Sequence, residues 1–146
     1  MALKAMKVGS RGDYGLRALV YLASVAAHGE PVQIHAIAMR QQIPEDYLRQ
    51  LMVNLRLAGL VRSVRGPHGG YLLAKDPSQI TMGEVIEALE GPPETMHCSH
   101  LAEGAPRCSL LAGCNIRVRW GLAVQKMEEV LHQTTIAELA AEGPVR

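Results

Sequence analysis

The chain has 146 residues, of which 48% are hydrophobic, and this is enough for one domain with a modest core. No apolar run approaches the roughly 18 residues that cross a lipid bilayer, so the sequence excludes a protein of the membrane-spanning helical class. The opening residues MALKAMKVGS also lack the apolar segment of a secretory signal. We therefore expect a cytoplasmic protein.

Charge is distributed unevenly along the chain, although its net value is only +1. Residues 1–75 carry ten Lys or Arg against four Asp or Glu, whereas residues 76–146 carry five against ten. A basic first half is typical of a protein that meets a polyanion, and it makes duplex DNA the first partner to consider. The alternative is an ordinary mixed surface.

Three helices are predicted in the basic half. SRGD fits a capping box, with Ser10 as the N-cap and Asp13 three residues later, and HGEP ends the helix that follows. A short helix is predicted over IHAIAMRQ. After the connection QQIP, Pro44 suits the first position of a third helix, EDYLRQLMVNLRLAG, whose apolar side chains fall on one face.

A β-hairpin is predicted directly after the third helix. LVRSVR and GYLLAK are short β-type runs, joined by the turn sequence GPHGG. Three helices and a hairpin, with a tight turn between the second and third helices, is the order of a winged helix-turn-helix. We predict a mainly α fold with a β-hairpin wing. Residues 6–80 would form the DNA-binding domain, and residues 81–146 a sensor loop (92–115) and a long dimerisation helix packed back on that domain.

The acidic half contains two further capping boxes, TMGE at Thr81 and TIAE at Thr135, each of which predicts the start of a helix. Between them, residues 116–132 form a predicted helix whose apolar residues recur four and three apart. These residues are Ile116, Trp120, Ala123, Met127 and Val130 or Leu131. Such a stripe favours packing against an identical helix in a homodimer. The alternative is that it covers the core of its own domain.

The third helix carries the residues that we expect to read DNA. In a helix-turn-helix, the N-terminal turn of the second motif helix reaches base edges in the major groove. That face offers Glu45, Asp46, Arg49 and Gln50. Arginine can bind guanine and glutamine can bind adenine through paired hydrogen bonds, each discriminating by roughly 1–3 kcal/mol.

Further contacts are expected from the end of this helix and from the wing. Arg65 lies at the hairpin tip, where it can enter a narrow minor groove, and His68 belongs to the same predicted tip. Asn54, Arg56 and Arg62 are better placed to contact phosphates. Any one of these residues alone could be an ordinary solvated side chain, as we expect for His28, His35 and His132; together, their spacing favours DNA.

All three cysteines, Cys98, Cys108 and Cys114, lie in the stretch MHCSHLAEGAPRCSLLAGCN. Cytoplasmic thiols stay reduced, so an odd and clustered set indicates metal or redox chemistry rather than disulfides. The stretch lacks the C-x2-C pairs of zinc ribbons, and its thiolates suit an iron–sulfur cluster, either 2Fe–2S or 4Fe–4S. Such a cluster needs a fourth ligand, for which His97, His100 and Asp13 are candidates.

Several long motifs resemble a known family. RGDYGLRALVYLA, IPEDYLRQLMVNLRLAGLVRSVRGPHGGYLLAKDPSQIT and GEVIEALEG are similar to segments of the Rrf2 family of bacterial winged-helix regulators. Its members include the iron–sulfur regulator IscR, the nitric-oxide sensor NsrR and the cysteine-metabolism repressor CymR. The resemblance runs from about Met6 to the last helix and is most specific in the wing, GLVRSVRGPHGGYLLAKDP. It implies a homodimeric transcription factor whose long helix after the cysteines crosses to the partner subunit.

The resemblance also bears on the fourth ligand. IscR-like members place a histidine three residues after the last cysteine, where this chain has Arg117. NsrR-like members take a carboxylate from the start of the first helix of the other subunit, and Asp13 matches that position. Helix capping would equally account for Asp13. The nine residues between Cys98 and Cys108 exceed the gap common in cluster-binding relatives, which leaves room for a thiol switch without a cluster.

From these features we expect a homodimeric repressor of transcription that binds palindromic duplex DNA. An iron–sulfur cluster on the three-cysteine loop would gate it in response to nitric oxide, redox state or iron–sulfur status. One alternative is a cluster-free regulator of the CymR type that uses thiols or zinc, and another is a winged-helix module that binds a partner protein. The sequence contains no Ser/His/Asp or nucleotide-binding motif, so we do not expect an enzyme.

Overall fold

The computed structural model of the protein describes residues 9–91 and 114–143. In these ranges the chain forms six α-helices and one β-hairpin. The elements are α1 (Ser10–Val25), α2 (Ile34–Gln41), α3 (Glu45–Leu57), β1 (Val61–Val64), β2 (Gly70–Leu73), α4 (Met82–Glu90), α5 (Asn115–Gln133) and α6 (Ile136–Ala141). Short 3-10 turns cover Ala26–His28 and Pro77–Gln79. None of the described helices is both long and apolar enough to cross a membrane.

The start of α1 is capped from a distant part of the chain, so the predicted Ser10 capping box is wrong. The N-cap residue is Gly9, which has no side chain to offer. Instead, the Glu90 carboxylate at the end of α4 accepts hydrogen bonds from the backbone N–H groups of Gly9 (2.9 Å) and Gly12 (3.1 Å). A Cβ at position 9 would lie 2.2 Å from Glu90 Oε1, so the Glu90 carboxylate would have to shift if position 9 carried a side chain.

The hydrophobic core is aliphatic and is centred on α1. This helix packs against α2, α3, α4 and α6, and its Ala18 and Leu19 are completely buried. From the acidic half, Ile80, Val85 and Ile136 are equally buried in the same core. Helices α4 and α6 therefore share one core with the basic half, because their apolar faces close over α1.

The helix-turn-helix is built from α2 and α3, joined by residues 42–44. Gln42 adopts a left-handed conformation with φ of 53°, which turns the chain sharply after α2. Pro44 is the N-cap of α3 and not its first helical residue as predicted, and Glu45 takes that position. The face of α3 that was predicted to be apolar is buried, with Leu48, Leu51, Met52 and Leu55 inside the core.

The hairpin follows α3 directly, and β1 and β2 pair in antiparallel register from Val61↔Leu73 to Val64↔Gly70. Tyr71 also exchanges backbone hydrogen bonds with Val32, in the segment before α2. At Gly70, φ is 153° and a Cβ would lie 2.3 Å from the Val32 carbonyl oxygen. Glycine at this position therefore allows the wing to approach the helix-turn-helix closely.

The capping boxes predicted for α4 and α6 are both present. Thr81 and Glu84 exchange their side-chain to backbone hydrogen bonds at the start of α4, and Thr135 and Glu138 do so at the start of α6. The two starts are also joined to each other, since Thr81 and Thr135 form an isolated antiparallel bridge. The end of α5 is thereby fixed against α4.

Helix α5 differs from the other helices because none of its residues is buried. Its predicted apolar stripe is divided: Trp120, Met127 and Leu131 are half-buried, whereas Ile116 and Val130 are 63% and 62% exposed. Val118 and Leu122 add further exposed apolar surface. The stripe therefore does not simply cover the core of its own domain.

Candidate nucleic-acid interface

The exposed side of α3 carries the residues predicted to read bases. Opposite the four buried residues of this helix, Asp46, Arg49 and Gln50 are exposed and Glu45 is half-buried. An α-helix whose one face is fixed in a core presents its other face as a rigid ridge, which suits insertion into a major groove about 12 Å wide. The structure thus brings these four residues onto one accessible surface.

A network of charged side chains covers this surface. The Glu45 carboxylate accepts a hydrogen bond from Arg49 Nη2 through Oε1, and its Oε2 lies 2.9 Å from His35 Nδ1. Asp46 is a looser partner, with Oδ1 3.9 Å from Arg49 Nε. The hydrogen bond with His35 is the main reason why the pKa of Glu45 lies below its usual range; partial burial opposes the change, and the charge of Arg49 adds to it. Glu45 is therefore charged at neutral pH.

His35 is the residue in this network that sequence reasoning missed. It was expected to be an ordinary surface histidine, and it lies on α2, ten residues from Glu45. The pairing forms across the turn of the helix-turn-helix, so neither the three- or four-residue spacing of one helix nor a short motif could have indicated it. His132 was also expected to be an ordinary surface residue, but its Nε2 lies 3.0 Å from Glu87 Oε1, which links α5 to α4.

The remaining predicted DNA contacts lie on the second half of α3 and on the hairpin. Arg56 is exposed near the end of the helix, and Asn54, two residues before it, is half-buried. On the hairpin, Arg62, Arg65 and His68 are all exposed. The tip is tightly turned, because a Cβ at Gly69 would lie 2.1 Å from the Val64 carbonyl oxygen. Basic side chains therefore continue from the end of α3 along the wing.

Four of the six candidate metal ligands lie outside the described residues. Cys98 and Cys108, together with His97 and His100, belong to residues 92–113. Cys114 is the N-cap of α5 and is half-buried. In the two described ranges, no three His, Cys, Asp or Glu side chains are grouped as a metal site would require.

Asp13 is held in a chain of contacts that reaches the helix-turn-helix. Its carboxylate is 58% exposed and lies 3.1 Å from Arg17 Nη2, while Arg17 Nη1 donates to the carbonyl oxygen of Gln41 at 2.9 Å. Gln41 is the last residue of α2, where carbonyl groups lack partners within the helix. Asp13 and Arg17 also line an open groove of about 340 Å³ between α1 and the end of α6.

A sequence model of one family covers almost the whole chain. The family is described as "Rrf2: Iron-dependent Transcriptional regulator", and its model matches residues 8–142. The chain belongs to the Rrf2 family. This confirms the resemblance inferred from the motifs.

Among the Rrf2 relatives, the HTH-type transcriptional regulator CymR of Bacillus subtilis is 39% identical over 137 residues, which are 93% of this chain and 91% of CymR. The HTH-type transcriptional regulator IscR of Cereibacter sphaeroides is 38% identical over 135 residues, 92% of this chain and 86% of that protein. The chain is therefore a member of a family of transcriptional regulators.

Solved Rrf2 structures have the same fold. The structure of B. subtilis CymR, described as the global cysteine regulator, matches with a TM-score of 0.74 and 34% identity, covering 94% of this chain and 98% of CymR. The structure of T. potens IscR matches with a TM-score of 0.74 and 33% identity, and the match covers 97% of this chain and 90% of that protein. The predicted winged-helix fold class is confirmed. The relatives include both CymR and IscR, so the sensing chemistry depends on the residues of this chain.

Proposed function

We propose that the protein is a homodimeric repressor of transcription that binds palindromic duplex DNA in the cytoplasm. The observation that carries the proposal is the accessible polar face of α3, held rigidly by four buried residues and continued by an exposed basic hairpin. In this assignment α3 lies in the major groove, where Arg49 and Gln50 contact base edges. Arg65 enters the adjacent minor groove, and Asn54, Arg56 and Arg62 contact phosphates.

The dimer is proposed to form through α5. This helix has no buried residue, yet Ile116, Val118, Leu122 and Val130 give it an exposed apolar surface. Covering such a surface with a second copy removes apolar area from water, worth about 25 cal/mol for each Å². A symmetric pair would present two α3 helices to two half-sites, in keeping with a palindromic operator.

The sensor is proposed to be an iron–sulfur cluster held by Cys98, Cys108 and Cys114, with Asp13 as the fourth ligand. The donor set fits, because three thiolates match the preference of iron and Asp13 presents an accessible carboxylate beside an open groove. When bound, the cluster would supply a group that reacts with nitric oxide and oxidants.

The contacts of Asp13 suggest how a change at the sensor could reach DNA. Asp13 and the α2 carbonyl group of Gln41 share Arg17, so moving the carboxylate leaves this guanidinium with one partner fewer. The Arg17 side chain links α1 to the end of α2. A change in its contacts would therefore bias the position of the helix-turn-helix. The predicted sensor loop (92–115) also begins just after Glu90, whose carboxylate caps α1.

A cluster-free thiol or zinc regulator is the second candidate. Similarity supports it as well as it supports the cluster, because CymR and IscR match this chain equally well in identity and in TM-score. Here the cysteines would be modified or would bind zinc directly, and Asp13 would keep its ion pair with Arg17.

The DNA-binding proposal is tested by fluorescence anisotropy with duplexes selected from a random pool. Affinity should fall by about 10³-fold between 50 and 200 mM salt if the dimer makes six phosphate contacts. Arg62→Gln should weaken binding to all sequences and reduce the salt dependence, whereas Lys126→Gln, on the opposite half of the chain, should do neither. Binding with no salt dependence would contradict the proposal and favour a protein-interaction module.

The sensor proposal is tested on protein purified without oxygen. Iron and sulfide analysis with visible absorption should detect the cluster, each Cys→Ser variant should lose it, and Asp13→Ala should change its spectrum or stability. Absence of iron, sulfide and colour after reconstitution would contradict the cluster. A colourless protein whose DNA affinity still responds to oxidant, and loses that response in Cys114→Ser, would establish the thiol alternative.

A further inference from the structure

The charged network on α3 assigns a role to a residue outside the recognition helix. One Glu45 carboxylate bridges two partners: Oε1 accepts from Arg49 Nη2, and Oε2 lies 2.9 Å from His35 Nδ1. His35 is anchored on α2, whose Ile37 and Ala38 are buried in the core. The network therefore ties Arg49, the base-reading arginine of α3, to the other helix of the motif.

The contacts also determine which part of the guanidinium remains available. Glu45 and Asp46 lie along the Nε and Nη2 side of Arg49. Each terminal nitrogen of arginine carries two hydrogens, so the second Nη2 hydrogen and both Nη1 hydrogens are left. Nη1 donates to no acceptor within residues 9–91 and 114–143. This remaining edge is the one that can bind guanine O6 and N7 through two parallel hydrogen bonds.

We propose that His35 is a specificity-determining positioning residue, which acts through Glu45 to hold Arg49 in the orientation that reads a guanine in each half-site. This rests on the proposed DNA-binding function. An arginine that is 57% exposed would otherwise sample many rotamers, and ordering it on binding would cost free energy. Because His35 holds the Glu45 carboxylate in place, Glu45 orders the Arg49 side chain before DNA binds. This removes part of the entropic cost of ordering Arg49 on binding. His35 thus affects which base is preferred without touching DNA.

The test begins with selection of preferred duplexes from a random pool by the wild-type protein. Arg49→Ala identifies the position that Arg49 reads, as the base pair at which preference is lost. The discrimination is then the ratio of dissociation constants for G·C and A·T at that position, which should fall by about tenfold or more in Arg49→Ala. His35→Ala and Glu45→Ala should each lower it about threefold to tenfold at the same position.

Three variants separate positioning from a general structural effect. His35→Asn keeps an N–H donor close to the place of Nδ1 and should restore most of the discrimination. His35→Ala combined with Arg49→Ala should be no worse at this position than Arg49→Ala alone, because His35 acts only through the arginine. His28→Ala, a change at another exposed histidine outside the motif, should leave the ratio unchanged, and thermal unfolding verifies that each variant is folded.

Each result has a distinct meaning. A wild-type protein that selects no sequence would overturn the DNA-binding proposal and this one with it. If the wild type selects an operator, an unchanged ratio in His35→Ala overturns only the role of His35. A loss at a different base pair in Glu45→Ala would show that Glu45 reads a base itself, which also contradicts the proposal.

Discussion

At the scale of single residues, the Glu90 side chain at the end of α4 connects the acidic half of the chain to the start of α1. Its carboxylate accepts hydrogen bonds from two backbone N–H groups at the start of α1, 78 and 81 residues away. These N–H groups have no partner within the helix, and the positive end of the helix dipole favours a negative charge there. Glu90 therefore does the work that was predicted for Ser10, and it leaves Asp13 to pair with Arg17.

We expect Glu90→Ala to lower the free energy of unfolding by about 1 kcal/mol, the usual effect of losing a helix cap. Glu142→Ala, a change at an exposed residue beyond α6, is the matched control and should have little effect. Urea denaturation followed by circular dichroism measures both. Ser10→Ala should also be nearly neutral, and a larger loss for Ser10→Ala than for Glu90→Ala would contradict this account of the cap.

At the scale of elements, the start of α4 depends on a capping box whose acid is titratable. A hydrogen bond from the backbone N–H of Thr81 is the main reason why the pKa of Glu84 lies below its ordinary value of 4.5; partial burial opposes this, and Lys75 adds to it. A carboxylate with a lowered pKa in the folded state stabilises the fold above its unfolded pKa. That contribution is lost as the pH falls through the folded pKa, below 4.5.

We expect Glu84→Gln to be less stable than the wild type at neutral pH by under about 1 kcal/mol, because the side chain is partly exposed and solvent screens its charge. The difference should shrink as the pH falls below 4.5, since the wild-type carboxylate is then protonated. Thr81→Ala removes a hydroxyl that does not titrate, so its loss of about 1 kcal/mol should persist at both pH values. Urea denaturation at neutral and acidic pH checks this; a Glu84→Gln difference that is independent of pH would disprove it.

At the scale of the whole molecule, α5 carries apolar surface that the rest of residues 9–91 and 114–143 leaves uncovered. Four of its apolar residues are at least 45% exposed, while the core around α1 is closed by α4 and α6. Changing Val118 and Leu122 together to Glu should convert the proposed dimer to monomers, because two charges per chain would be buried without partners. DNA affinity should fall in the same variant, since one half-site is then bound alone.

Light scattering after size exclusion measures the mass of this double variant. Leu57→Glu is the control, since Leu57 on α3 is 77% exposed but lies on a different surface, and its mass should equal that of the wild type. A monomeric wild type, or a double variant that remains dimeric, would contradict dimerisation through α5.

Local features of the sequence determined the elements of this protein. Two of the three predicted capping boxes and the bounds of α2 follow from spacing along the chain, because the hydrogen bonds involved span three or four residues. The hairpin follows from the change in the spacing of apolar residues after α3 and from the glycines of its tight turn. The family is likewise readable from contiguous motifs.

Only the tertiary structure decided which charged residues act together. Glu90 reaches the start of α1, His35 reaches Glu45 across the turn, and Arg17 joins Asp13 to the end of α2. These contacts connect side chains on different helices, and their geometry depends on how the buried faces of those helices pack. The sequence pattern identifies which face of each helix is apolar, but not how the helices are placed relative to one another. The sequence by itself therefore located the exposed surface of α3, and the packed structure showed which side chains pair on it.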